Sequence, residues 1–297
     1  MLEKLIHVIV LNWNGEDVIE ECLETLCAVD YSPLEITVID NASSDSSLKI
    51  VRERFPQVNI ICNEENLLYA EGNNVGLRKY IKEGGELFLL LNNDTVVAPD
   101  FISEMAGVFE RPDAGIAGAK IYYYDDPERI WYGGGGFYPL IALPRHLNIR
   151  KLDRGTDKGI KETGYVTGCA MMIKREVLEE IGFLDPRYEI YCEDVDFCLR
   201  ALKAGWKSYY SHEAHVWHKV SSSSGGGFTP YKLEKRIVST YRLFRLHKSR
   251  VWRIVILPLY GFFFLLLALA FSLSGKWALF RSLFKGMRGV LASMRNM

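Results

Sequence analysis

Four times within the first 122 residues a short run of β-branched and other apolar residues is followed by a stretch patterned for a helix, and this alternation limits the fold most. HVIVLNW precedes a helical pattern over 16–27, EITVIDN one over 46–55, VNIICN one over 73–82, and LFLLLNN one that begins after Pro99; GIAGAKIYYY follows. Apolar runs of this kind make strands covered on both faces, and strands separated by helices pair in parallel. The expected fold is therefore α/β, a mixed but mostly parallel sheet with helices on both faces. Right-handed crossovers bring the strand ends to one edge, where open α/β sheets bind ligands. That edge collects residues 12–15, 40–43 and 92–94, with Asp40 and Asp94 as its strand-end carboxylates.

Beyond residue 122 the pattern breaks up. Residues 123–163 carry GGGG at 133–136 and a polar stretch, and read as a loop-rich excursion able to close over a site. TGYVTGCAMMIKREVLEEIG then resumes a strand entering a helix. In YCEDVDFCLR the acids fall at 193, 194 and 196, a spacing that cannot share one helical face, so a loop entering a helix is expected with at least one carboxylate facing a cleft. The run SSSSGGG at 221–227 reads as a flexible loop that orders on ligand binding. Taken alone, Asp40 is equally a cap or turn residue, and NND at 92–94 equally a turn. His212, His215 and His218 form H-x-x-H-x-x-H. In an extended segment 212 and 218 face one way and 215 the other, which favours one histidine as a single metal ligand over a three-histidine zinc site.

With 48% apolar residues, the 297-residue chain can bury the core of one large or two small domains. Its formal net charge of −1 hides an asymmetry. Residues 232–297 hold 13 Lys and Arg against Glu234 alone, or +12, which leaves −13 for residues 1–231. A basic excess confined to the carboxyl end points to an anionic membrane surface rather than to nucleic acid. Residues 254–275 carry no charge over 22 positions, about 33 Å if helical, against a hydrocarbon core of ~30 Å. Basic residues flank both sides, so a single pass and a monotopic insertion stand equal. Further on, Trp277, Phe280, Phe284, Met287, Leu291 and Met294 recur at helical spacing beside Arg281, Lys285, Arg288 and Arg295, the pattern of an interfacial helix weakened by Gly286 and Gly289. Six cysteines without a CxxC pair, and no secretory leader pattern, place the globular part in a reducing cytosol, with Cys192 and Cys198 as small buried hydrophobes.

Taken in order, VIVLNWNG (8–15), VIDNASSD (38–45), NLLYAEGNNVG (66–76), LLLNNDT (89–95), VTGCAMMIKREV (166–177), GFLDPRYEIYCEDVDFCLR (182–200) and His218 ahead of a Ser/Gly loop are similar to the motifs of family 2 inverting glycosyltransferases of the GT-A fold. The resemblance lies near the bacterial rhamnosyltransferase-like group and covers about residues 5–225. It implies that Asn12, Asn14 and Asp40 hold base and ribose, that Asn66 and Asn74 lie near base and diphosphate, and that Asn92 and Asp94 position ribose and metal. It makes Asp194 the base that activates an acceptor hydroxyl, with Glu193 beside it, and gives a divalent metal, Mn²⁺ or Mg²⁺, the ligands Asp94 and His218. Residues 1–122 become the nucleotide-sugar half, 123–231 the acceptor half, and 232–297 a membrane-associated tail on the cytoplasmic face. The implied partners are a dTDP- or UDP-sugar donor and a polyprenyl-linked or surface glycan acceptor, without nucleic acid. Leu68 and Glu71 replace common glycines of the family, the metal motif Asn-x-Asp keeps one carboxylate, and His212 replaces a common proline. Two other readings are a nucleotidyltransferase, for which NWNGEDVIEE lacks a phosphate-cradling cation, and a catalytically idle glycan-binding or scaffold subunit.

Overall fold

The computed structural model describes residues 4–138, 143–220 and 229–295; the 221–227 loop lies outside them. In chain order the first part holds β1 (Ile6–Asn12), α1 (Ile19–Leu26), β2 (Leu34–Asp40), α2 (Ser47–Arg54), β3 (Asn59–Cys62), α3 (Leu68–Lys82), β4 (Leu87–Asn92), β5 (Thr95–Val97), α4 (Phe101–Ala106) and β6 (Ala114–Tyr123). Then come β7 (Asp126–Tyr132), β8 (Gly135–Phe137), β9 (Pro144–His146), β10 (Ile160–Thr163), β11 (Ala170–Lys174), α5 (Arg175–Ile181), α6 (Glu193–Lys203) and β12 (Lys207–His218). The tail is α7 (Pro230–His247), α8 (Arg250–Leu273) and α9 (Trp277–Arg295).

Among the described residues one sheet runs β10-β12-β6-β11-β4-β1-β2-β3, with β5 on β12 and β7 on β6. Every residue of β4 from Leu87 to Leu91 is at most 2% exposed, as a run buried on both faces requires. β1 pairs in parallel with β2 and β4, and the register sets Asn12 opposite Asp40 and Leu11 opposite Asn92. The strand ends expected to share an edge therefore do share it.

The expectation of a mostly parallel sheet needs correction in the second half. β11 runs antiparallel to both β4 and β6, β10 and β5 run antiparallel to β12, and β7 runs antiparallel to β6. The physical reason is the approach to β11: β10 ends at Thr163, level with Ser208 and Ile116, and residues 164–169 return the chain to the level of Asn92, so β11 starts at the binding edge and runs opposite to its neighbours. Lys120, Tyr122 and Asp153 pin the 123–163 excursion, with Lys120 Nζ 2.7 Å and Tyr122 Oη 2.6 Å from one Asp153 oxygen. The charged lysine beside it holds the Asp153 carboxyl well below its usual range despite its desolvation.

In the tail, α9 packs along α7 through Ser282, Leu283 and Gly286. Gly286 and Gly289 are not merely weak points in a helix: a Cβ at 286 would sit 2.9 Å from Ile237 Cδ1 and 3.3 Å from Glu234 O, and one at 289 would sit 2.8 Å from Val238 Cγ2. The α9 glycines make room there for Ile237 and Val238 of α7. The long apolar side chains face outward instead, with Phe262, Leu265, Leu269 and Trp277 all more than half exposed. Among the described residues no helix is long and apolar enough to cross a membrane, so the single-pass expectation for 254–275 finds no support there. Gly286→Val should lower stability by ~1–3 kcal/mol through overpacking against α7, read as a shift of the denaturant midpoint, whereas the same change at an exposed helical glycine would raise it slightly.

Candidate active site

Asn12 is fully buried at the end of β1 and knits the edge together. Its amide group is shared among Asp40 Oδ1 at 3.1 Å, Ser43 Oγ at 3.2 Å and Ser47 Oγ at 2.9 Å, and its oxygen accepts from Asn93 Nδ2 at 2.8 Å. Asp40 accepts a further bond from the Ser43 N–H. Gly15 leaves room for this network, because a Cβ there would lie 2.3 Å from Asn93 Nδ2 and 2.4 Å from Asn12 Oδ1. Asn14 adopts a left-handed conformation (φ 49°) and is exposed, its oxygen accepting from the Ser44 N–H. Asn12 thus shapes the rim, while Asn14 stands on it.

Residues 66–76 divide in the same way. Asn66 Oδ1 accepts from the Leu68 N–H at 2.8 Å, which turns the chain into α3. Leu68, where a glycine is common in similar proteins, has φ 61°, the region that glycine enters without penalty. The loop therefore keeps its turn and bears the strain. Glu71 pairs with Arg78 and accepts from Asn74. Asn74 is buried and clamps Leu184 in both directions, donating to its carbonyl at 2.9 Å and accepting from its N–H at 3.1 Å. Asn92, half-buried at the end of β4, gives its N–H to Cys169 O at 3.0 Å.

Asp94 and His218, distant in sequence, meet because β5 pairs with β12 and sets His218 opposite Thr95. His218 Nε2 lies 3.0 Å from Asp94 Oδ1, and both residues are buried. Adjacent ligands on an octahedral cation with bonds of ~2.1 Å stand about 3.0 Å apart, so this pair fits one hard divalent ion. Among the described residues no group of three or more His, Cys, Asp or Glu is arranged to hold a metal, and the remaining ligands would come from diphosphate and water. Burial alone would push the His218 pKa down, but Cys169 and Asp94 outweigh it and hold it well above the ordinary value. The indole of Trp131, from the excursion, stands edge-on to His218 at 4.6 Å between centroids. His212 bonds Tyr210 Oη at 2.7 Å, and His215 Nε2 lies 3.0 Å from the His212 carbonyl, so the three histidines do not converge.

Glu193 and Asp194 open α6. Asp194 Oδ2 accepts from the Gly168 N–H at 3.0 Å and Oδ1 from the Val195 N–H at 2.8 Å. Glu193 is 8% exposed, and its Oε2 has no hydrogen-bond partner among the described residues. Desolvation, then the neighbouring Asp194 charge, push the Glu193 pKa to about 8. Desolvation also raises Asp194, but its backbone donors pull the other way. Burial thus opposes ionisation of both carboxyls, while the backbone donors favour the charged form of Asp194.

The sequence reading passed over Tyr69, whose hydroxyl donates to Gly168 O at 2.5 Å, and Cys169, whose buried thiol adjoins His218. Both lie inside quoted motifs, so position in a motif was the available signal. Consecutive residues 168 and 169 thus touch the acid pair and the Asp94–His218 pair respectively. A cation held by Asp94 and His218 would have to displace that proton, so Mn²⁺ affinity in the presence of a nucleoside diphosphate should weaken by up to ~10-fold per pH unit as pH falls below the raised His218 pKa. Calorimetry at pH 6, 7 and 8 would show the slope, and His218→Gln should flatten it.

The chain is 28% identical over 246 residues to an uncharacterized protein, y4gI, of Sinorhizobium fredii, covering 77% of this chain but 26% of that one. It is 25% identical over 246 residues to the N-acetylglucosaminyl-diphospho-decaprenol L-rhamnosyltransferase of Mycobacterium tuberculosis, covering 74% of this chain and 78% of the relative. Among solved structures, the mannosyltransferase PcManGT of Pyrobaculum calidifontis in complex with GDP-Man and Mn²⁺ superposes with a TM-score of 0.57 at 17% identity, covering 98% of this chain and 76% of that one, a likeness of the GT-A fold. The model of glycosyl transferase family 2 matches residues 7–182, more than half of the chain, with Asn12, Asp40, Asp94 and the Gly168–Cys169 pair inside the match. The chain belongs to glycosyl transferase family 2.

Proposed function

We propose that this protein is a metal-dependent inverting glycosyltransferase that moves rhamnose or another hexose from a dTDP- or UDP-sugar to a lipid-linked or cell-surface glycan. The observation that carries this reading is the Gly168–Cys169 dipeptide. Consecutive Cα atoms are ~3.8 Å apart, so the contacts to Asp194 and to His218 start from neighbouring points of the backbone. A transfer needs a base and a diphosphate site on opposite sides of a single anomeric carbon, and this proximity supports that reading. The named activity of the mycobacterial relative supports rhamnose and a polyprenyl-linked acceptor, and the mannosyltransferase complex supports a nucleotide-sugar with a divalent cation.

Asp194 takes the proton of the acceptor hydroxyl, a general-base effect worth typically ~10²–10⁴ in rate. The two backbone N–H groups hold its carboxylate in place, and protonated Glu193 avoids a second negative charge beside it. Asp94 and His218 would hold a divalent cation, which would supply positive charge against the departing diphosphate. Asn12, Asp40 and Asn14 shape the base and ribose end, Asn66 and Asn74 fix the loop over it, and half-buried Asn92 faces ribose. Attack opposite the leaving group inverts the anomeric centre.

The tail supports attachment at a membrane interface. Phe262, Leu265 and Leu269 of α8 and Trp277 and Phe284 of α9 stand exposed beside the exposed cations Arg281, Lys285 and Arg288. Apolar side chains enter the acyl boundary while cations meet anionic headgroups, a monotopic arrangement on the cytoplasmic face that raises the local concentration of a lipid-linked acceptor.

Two measurements test these points. Tested across dTDP-, UDP- and GDP-sugars, nucleoside diphosphate release should occur from a dTDP- or UDP-sugar, require Mn²⁺ or Mg²⁺, fall by ~10²–10⁴ in Asp194→Asn, and change less than ~10-fold in Glu193→Gln, which mimics the protonated acid; full activity in folded Asp194→Asn would end the proposal. Co-sedimentation with phosphatidylglycerol vesicles should be lost when Phe262 and Leu265 are both changed to Glu, and should weaken with salt.

A further inference from the structure

Immediately before the acid pair, Tyr191 and Cys192 both have positive φ, 71° and 68°. Neither is glycine, so each holds a conformation that costs of order 1–3 kcal/mol and persists only when its surroundings enforce it. Cys192 is the residue from which α6 starts, and no side chain caps that start. The enforcing contacts come from α7, part of the tail and beyond the residues matched by the family. Lys235 pairs with Glu189, Ser239 Oγ donates to Ile190 O at 2.9 Å, and the Arg236 guanidinium lies 4.9 Å over the Tyr191 ring. Arg242 lies 5.6 Å over the ring of Tyr188. The last residue of α7, His247, then reaches Asp196 in the first turn of α6, its Nε2 2.7 Å from Oδ1, with both side chains at most 5% exposed. Asp196 also takes Arg200 Nε at 2.8 Å, and Arg200 bonds the carbonyls of Ile181 and Phe183.

We infer that His247 is a positioning residue for the transfer reaction: through Asp196 it fixes the first turn of α6, and with Ser239 it holds the strained turn that aims Glu193 and Asp194. The catalytic carboxylates of this chain are thereby set by its carboxyl-terminal helix as well as by the sheet. This inference rests on the transferase reading for its kinetic consequence and on geometry alone for its structural one. Removing the imidazole leaves Asp196 paired with Arg200, so α6 survives while its first turn loosens.

The experiment uses the full chain with two readouts. In His247→Leu, the turnover number for sugar-donor cleavage should fall ~10- to 30-fold, as small misplacements of a reacting group do, while the donor KM stays within about twofold. Amide hydrogen exchange over residues 189–197 should quicken by ~10-fold or more, with β1 and β4 unchanged. His247→Gln, whose amide can donate to Asp196, should recover most of both. Unchanged exchange at 189–197 in His247→Leu overturns the positioning role, and so does a turnover loss matched by an equal loss of nucleotide affinity and of thermal stability. If His247→Leu does not fold, Ser239→Ala carries the same two readouts. A wild-type protein that cleaves no sugar donor would end the transferase reading, and the exchange arm would still decide the role of His247.

Discussion

The site depends on one placement in the sheet: β11 lies antiparallel between β4 and β6. Its ladder with β4 continues one step past the strand, where the Asn92 N–H reaches the Cys169 carbonyl. That bond brings 168 and 169 to the edge where β1, β2 and β4 end. Gly168 then meets Asp194 and Tyr69, and Cys169 meets His218. A parallel strand at this position would carry the same residues to the opposite edge, away from Asn12, Asp40 and Asp94. Tyr69 adds a second constraint, since its hydroxyl grips the carbonyl of the residue whose N–H holds Asp194.

Burial makes the chemistry of these groups differ from that of the same residues in water. Two adjacent carboxyls with little solvent cannot both ionise cheaply, and backbone donors favour the charged form of the one they reach. Asp194 has two such donors, and the Oε2 of Glu193 has none among the described residues. At His218 burial and the neighbouring Cys169 and Asp94 oppose one another in the same way, and the imidazole pKa is held well above its ordinary value.

Much of the fold was legible locally. The runs HVIVLNW, EITVIDN and LFLLLNN became β1, β2 and β4, because continuous apolar β-branched segments have few other ways to be covered. Their common edge followed from crossover handedness, and Asn12, Asp40 and Asp94 appear there. The direction of β11 was not legible, since AMMIK reads the same in either orientation and only the path of the chain leading into it sets it. In the donor motif, Leu68 in place of glycine left the loop conformation open in the sequence, and the structure answers with a positive φ. Likewise Asn74, expected near the diphosphate, spends its amide on Leu184, a contact across the fold that no local pattern announces. Gly286 and Gly289 looked like flaws in an amphipathic helix because helix propensity ignores the neighbour that needs the space.

By itself, the sequence determined the kind of chain this is: an α/β protein with a carboxylate-lined strand edge, an acidic helix start and a basic apolar tail. These features are set by periodicity, charge and short-range spacing, which act within a few residues. Tertiary structure alone decided which carboxylate is held by backbone donors, that His218 rather than His212 or His215 meets Asp94, and that α7 reaches back to Asp196. Each depends on strand register or helix docking between residues far apart in the chain, where the free energy comes from burial shared by many side chains and no single segment encodes the outcome.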